Sequence, residues 1–231
     1  STFIDAITGF TSISAGTATF DGVDMAGLTP DRRAQIGLSR TFQSLELFED
    51  LSVRDNLMAA AEPSKWYSFL ADIFRPGLLE RPYVEQADWA LGILGLEEFA
   101  DRLPSDLSHG QRKLVGVARA LAAKPKLVLL DEPAAGLDTA ESQLLGGHLR
   151  DFLTQDMSVF LIDHYMCLVL IVCDYIYVLD FGRSIAHGTP AEIRNDPSVI
   201  AAYLGESAGE AQAREGAAVA GLEHEGSTID G

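Results

Sequence analysis

Two rhythms of apolar and polar residues run through this chain of 231 residues. The first is the short apolar block. Leu127, Val128, Leu129 and Leu130 follow one another without alternation, as expected of a strand in a parallel sheet covered on both faces. Ser158 to Ile162 predicts a second buried strand. Tyr175 to Leu179 predicts a third, turned by Asp180, Phe181, Gly182 and Arg183. Upstream, Gly16 to Phe20 predicts a short strand leading into an Asp21-Gly22 turn, and Ile36 to Phe42 an edge or core strand. The second rhythm is helical. Leu114, Val115, Ala118, Leu121 and Ala122 fall on one side of a helix that starts near Gly110 and stops at Ala123, Lys124 and Pro125. A further helix over roughly Thr139 to Leu153 is expected to bury Leu144, Leu145, Leu149 and Phe152. Strands alternating with helices predict an α/β core.

Helix starts are written in the polar residues. Thr29 is placed to cap a helix with Pro30 in its first position. Ser52 caps another through Ala60, with Asp55 returning the bond as a weak capping box. Thr189, Pro190 and Glu192 make a third start, and Val199 to Leu204 belongs to a last short helix. Between these segments the texture changes. Trp66, Tyr67, Phe69, Leu70, Ile73 and Phe74 form an aromatic-rich stretch, interrupted at Pro76 and Pro82. Ala87, Ala90, Leu91 and Leu94 then recur at helical spacing. Residues 61–106 therefore read as a helical subdomain inserted between two parts, 1–60 and 107–205, of the α/β core. The aromatic stretch suits either the interior of that subdomain or a surface that meets a partner. Residues 206–231 are rich in Ala, Gly and Glu and read as a mobile tail, helical only when bound.

The formal net charge of −17 argues against a broad electrostatic grip on nucleic acid or anionic lipid. The most apolar region, 159–179, carries Asp163, His164 and Asp174, which makes it a poor membrane span. A strand, a short helix and another strand account for it better. Cys167 and Cys173 read as buried reduced thiols, and no thiol pair has metal-ligand spacing.

Candidate chemistry gathers where the strands end. A carboxylate at the carboxyl end of a buried parallel strand points into the crevice where such folds bind ligands. Asp131 stands there and can hold Mg²⁺, directly or through water. Glu132 can orient and polarise an attacking water, and Pro133 restricts the next backbone step. Ser108 and Gly110 open a helix whose N–H groups make an anion site, with Gln111 either bonding across it or supporting the turn. Arg112 and Lys113 read as surface charges with no catalytic role. Gln43 ends a strand, where an amide can meet a metal or a water. His164, after a strand and Asp163, can bond a terminal phosphate. His109, His187 and His224 show no chemical pattern.

These motifs, in this order, resemble those of ABC transporter ATP-binding subunits, most of all the branched-chain amino acid uptake group. Leu107-Ser108-His109-Gly110-Gln111 resembles the signature, and Leu127 to Glu132 resembles Walker B followed by the catalytic glutamate. Ala135-Gly136-Leu137-Asp138 resembles the D-loop, Gln43 the Q-loop glutamine and His164 the switch histidine. Ser1-Thr2-Phe3-Ile4 resembles the sequence that follows the Walker A lysine. The resemblance implies a P-loop NTPase-like ABC ATPase core with an inserted helical subdomain, amino-terminally truncated. It implies ATP and Mg²⁺ as ligands. Glu132, His164 and Gln43 are then the catalytic group, and Ser1, Gln43 and Asp131 the metal group. Ser1, Thr2, Ser108, Gly110, Gln111 and Asp138 are then the nucleotide contacts. Asp163 stands where the group commonly has Glu, and Tyr165 where it has Asp.

The implied function is hydrolysis of ATP to energise import of branched-chain amino acids, from a peripheral position on the cytoplasmic face of the cell membrane. The implied partners are permease subunits, a second ATPase subunit and, indirectly, an extracytoplasmic amino-acid-binding protein, with no nucleic acid. Urea or another small amide is the neighbouring cargo. Without a glycine-rich phosphate loop, the chain is expected to bind and hydrolyse ATP poorly; a non-catalytic regulatory or assembly form is the alternative.

Overall fold

The computed structural model describes residues 2–41, 47–61, 81–152 and 157–203, with Arg81 and Phe152 described in backbone only. Ser1, Gln43, the aromatic stretch 66–74 and the expected tail 206–231 lie outside the described residues. The chain divides into two units, Ser1–Val172 and Cys173–Gly231.

The first unit runs α1 (Thr2–Thr8), β1 (Thr19–Phe20), β2 (Val23–Asp24), α2 (Pro30–Gln35), β3 (Leu38–Arg40), α3 (Val53–Ala61) and α4 (Arg81–Ile93). It continues with α5 (His109–Ala122), β4 (Leu127–Asp131), α6 (Thr139–Phe152), β5 (Ser158–Ile162) and α7 (Met166–Val172). β3, β4 and β5 form a parallel sheet in that order. Leu38 stands opposite Leu127, and β4 pairs with β5 from Leu127 opposite Ser158 to Asp131 opposite Ile162.

The apolar run of β4 follows from its central place. Val128 and Leu130 enter one cluster with Val115, Ala118 and Leu121 of α5 and Leu145 and Leu149 of α6. Leu129, on the other face, packs with Ile4 of α1, Met25 and Leu38. Both faces are dry, so nothing in the strand needs to alternate. The helical layer belongs to the first of these clusters: Ala87, Ala90, Leu91 and Leu94 of the α4 region are all buried there. α3, α4 and α5 pack against one another.

Several expectations are corrected. β5 is an outer strand among the described ones, and Ser158 and Phe160 are exposed. Phe160 instead stacks on Phe3 of α1, ring centres 5.4 Å apart. Leu144 is 62% exposed, because a helix that turns Leu145 and Leu149 inward carries their neighbour about 100° away from that face. Cys167 is exposed and Cys173 only partly buried, so neither thiol is a core residue. Thr29 precedes α2 without a side-chain cap bond. The Ser52 hydroxyl does accept the Asp55 N–H at 3.1 Å, but the Asp55 carboxylate bonds that hydroxyl, at 2.6 Å, rather than the Ser52 backbone.

The second unit holds β6 (Ile176–Asp180), β7 (Arg183–Gly188) and α8 (Pro190–Arg194), followed by a helical stretch over 197–203. The strand expected at 175–179 is therefore no third member of the parallel sheet. It is one arm of an antiparallel hairpin, and its Tyr177 and Leu179 are exposed. The turn between the arms places Phe181 at φ +43° and Gly182 at φ +77°, the left-handed pair that matches the twist of a two-residue hairpin. Glu192 accepts bonds from the Thr189 N–H, at 2.8 Å, and its hydroxyl, at 2.9 Å, as the helix start at Thr189 predicts.

Candidate active site at the strand ends

The carboxyl ends of three parallel strands come side by side. After β3, the Thr41 N–H donates to the Leu129 carbonyl at 2.9 Å, and the Thr41 hydroxyl accepts the Asp131 N–H at 3.3 Å. β4 ends on Asp131, which is only 4% exposed. Buried carboxylate oxygens at a strand end are hard donors, the class that Mg²⁺ takes, so this residue fits the metal implied by the motifs.

Glu132 leaves the strand in a left-handed conformation, φ +49°. That region costs a non-glycine residue roughly 1–2 kcal/mol, and Pro133 restricts the same residue further. The turn is held by bonds. The Glu132 N–H donates to the Ile162 carbonyl at 2.7 Å, continuing the β4–β5 ladder, and its carbonyl accepts the Ala135 N–H at 3.1 Å. A second turn follows, Leu137 N–H to Ala134 carbonyl at 3.0 Å, with Gly136 at φ +78°. Asp138 and Glu141 then close a reciprocal cap at the start of α6. Glu141 accepts the Asp138 N–H at 3.0 Å, and Asp138 accepts the Glu141 N–H at 2.8 Å.

β5 ends next door. The Asp163 side chain is fully buried. Its carboxylate accepts the Ala134 N–H at 3.1 Å and the Tyr165 N–H at 2.8 Å, so it ties the end of β5 to the turn after β4. His164 is 67% exposed, with Nδ1 at 3.8 Å from Asp163 Oδ1. The Tyr165 hydroxyl reaches the Thr139 hydroxyl at 3.3 Å.

The first turn of α5 is built by Ser108 and Gln111. The Ser108 hydroxyl accepts the Gln111 N–H at 3.2 Å, and the Gln111 amide oxygen accepts the Ser108 N–H at 2.8 Å. This turn sits on the segment that follows Asp131. A Cβ added to Gly110 would lie 2.3 Å from Glu141 Oε1, and one added to Gly136 would lie 3.2 Å from His109 Nε2. One turn on, the Lys113 ammonium donates to the Ala135 carbonyl and, at 3.4 Å, to the Glu132 carbonyl.

The sheet edge thus gathers Asp131, Glu132 and His164, while Gly110 meets Glu141, the capping partner of Asp138. Thr2 opens α1 and is exposed. Ser1 and Gln43 lie outside the described residues. Reading Arg112 and Lys113 as surface charges is corrected. Arg112 pairs with Glu49 and donates to the Pro104 carbonyl at 3.1 Å. Lys113 is partly buried, and that burial pushes its ammonium below the usual lysine range, against the pull of Asp163 and Glu132. The signal for Lys113 was its spacing: four residues after His109 and three after Gly110, it shares their face of α5.

Comparison with known proteins gives the family. Residues 1–135 match the family described as ABC transporter, and residues 183–209 match the Branched-chain amino acid ATP-binding cassette transporter family. The high-affinity branched-chain amino acid transport ATP-binding protein BraF of Pseudomonas aeruginosa is 35% identical over 210 residues, covering 89% of this chain and 82% of that protein. LivG of Escherichia coli, described in the same words, is 34% identical over the same length and shares. The ADP conformation of MJ1267, an ATP-binding cassette of an ABC transporter, superposes with a TM-score of 0.74 at 29% identity, covering 88% of this chain and 82% of that one. The chain belongs to the ABC transporter family, as one of its ATP-binding cassettes.

Proposed function

We propose that this chain hydrolyses ATP to energise import of branched-chain amino acids through a membrane permease. One observation carries the site: Asp131 and Glu132 leave the central strand beside the strand end that bears Asp163 and His164. In this reading Asp131 holds Mg²⁺, which when bound neutralises charge on the phosphate oxygens. Glu132, turned by its left-handed backbone, orients and polarises the attacking water. His164, exposed at the end of the neighbouring strand, bonds the terminal phosphate. Ser108, Gly110 and Gln111 open a helix of 14 residues, whose first N–H groups and dipole favour a phosphate. They serve the nucleotide held by a second cassette, and Asp138 lies at the same junction. Ser1 and Gln43 complete the metal group, and Thr2 adds a nucleotide contact.

The cargo is supported by the BraF and LivG likenesses and by the match at residues 183–209. The region 61–106, with α4 in it, is the side offered to the permease, which places the cassette on the cytoplasmic face of the membrane. Among the described residues no helix is long and apolar enough to cross a membrane.

The test uses the full protein assembled with its permease. Glu132→Gln should keep ATP binding and lose turnover by at least about a hundredfold, the scale of a lost general base. Equal turnover in variant and parent removes Glu132 from this role. Uptake of labelled leucine into proteoliposomes, against labelled urea, decides the cargo.

A further inference from the structure

The described residues place a cation on the carbonyl of the proposed catalytic residue. Lys113 Nζ bonds the carbonyls of Glu132 and Ala135, the two ends of the tight turn that follows β4. The same turn is closed by the Ala135 N–H on the Glu132 carbonyl at 3.1 Å. Two neighbours on the same face of α5 press on the segment just beyond. The His109 ring lies against Gly136, and Gly110 lies against Glu141. Residues 109, 110 and 113 thus seat the start of α5 on the segment 132–141 at three points.

The consequence is mechanical. Glu132 occupies a backbone region unfavourable to a side chain, so its conformation persists only if its surroundings impose it. Its N–H is held by Ile162 and its carbonyl by Lys113 and Ala135. With both flanking peptide groups held, the direction of the Cα–Cβ bond is held too. We propose that Lys113 is a positioning residue: by bonding the Glu132 and Ala135 carbonyls it aims the Glu132 carboxylate, and it links that aim to the position of α5. This deepens the ATPase reading and rests on it. A phosphate docking at Ser108 and Gly110 would move α5 as a rigid rod, and Lys113 would carry the displacement to the hydrolytic group.

Lys113→Met keeps the apolar stem and removes the donor. In the permease complex it should lower kcat about tenfold, the scale of one lost bond to a charged group, with KM for ATP unchanged. Lys113→Arg should recover most of that loss. Independently of hydrolysis, amide hydrogen exchange in the peptide covering 132–138 should quicken about tenfold in Lys113→Met, with exchange in α4 unchanged. Unchanged exchange in that peptide overturns the clamp, whether or not the protein hydrolyses ATP. Faster exchange with an unaltered kcat overturns the positioning role. Should Lys113→Met not fold, Lys113→Gln is judged on the same two readings. If the parent shows no ATPase activity or Glu132→Gln retains it, the ATPase reading fails and the exchange comparison still judges the clamp.

Discussion

Gly110 allows a sharp test, because a single added methyl group is expected to change sign with its background. The residue sits in the first turn of α5, with no positive φ. By backbone preference alone, Gly110→Ala should stabilise the helix by about 0.7 kcal/mol. The site opposes this. The new Cβ would stand 2.3 Å from Glu141 Oε1 and 2.8 Å from its Cδ, so the carboxylate must leave. In leaving it gives up the Asp138 N–H, now held at 3.0 Å, a charge-assisted cap worth about 1.5 kcal/mol. The net result is destabilisation by about 0.8 kcal/mol, the difference between those two figures. In a Glu141→Ala background the obstacle is gone and the cap already lost, so Gly110→Ala should stabilise by about 0.7 kcal/mol. The coupling between the positions is then about 1.5 kcal/mol. Urea unfolding of the four proteins, followed by far-UV circular dichroism with a constant slope m, measures it. The same sign and size of effect in both backgrounds would refute the claim that Gly110 is there to admit Glu141. Loss of that close fit would also open the junction between α5 and the segment after Asp131.

Arg33 is 6% exposed and donates to four carbonyls, those of Ala6 at 2.8 Å, Ile7 at 2.6 Å, Met25 at 2.9 Å and Leu28 at 3.0 Å. Two of these lie in the last turn of α1, so Arg33→Met strips a cation from a helix carboxyl end and takes a charged donor from four carbonyls, of which that of Met25 keeps the Leu28 N–H at 3.2 Å. It should cost about 3 kcal/mol or more, read as a fall in the urea midpoint; a loss below about 1 kcal/mol would refute the reasoning. The two thiols should separate by pH. Burial, reinforced by Asp174, holds the Cys173 thiol above its usual range, while Cys167 is exposed. The thiolate is the reactive form. A chromogenic disulfide reagent near neutral pH should therefore label Cys167 first, and Cys173 should need more alkaline solution. Mass mapping that finds Cys173 labelled first would contradict this.

Much of this fold was legible in local pattern. The run Leu127 to Leu130 announced a strand covered on both faces, and the helix starts at Ser108 and Thr189 carried their own capping partners three residues on. The places of Asp131, Glu132 and His164 were legible for the same reason, since each lies within two residues of the end of an apolar strand. These properties depend on residues within a turn or two, which periodicity and capping chemistry describe.

What stayed hidden was set by distant neighbours. Ser158 to Ile162 and Tyr175 to Leu179 read alike as apolar strands, yet one is the outer strand of a parallel sheet and the other an arm of an exposed hairpin. Hydrophobicity is a property of the residue, whereas burial is a property of what lies beside it. Leu144 and Leu145 are the same residue one position apart, and helix rotation alone buries one of them. Lys113 shows the limit most clearly. In the chain it is one more charge after a polar motif, 19 residues from Glu132. Its ammonium reaches that carbonyl because α5 packs across the end of β4, and the bond exists only once both elements have found each other.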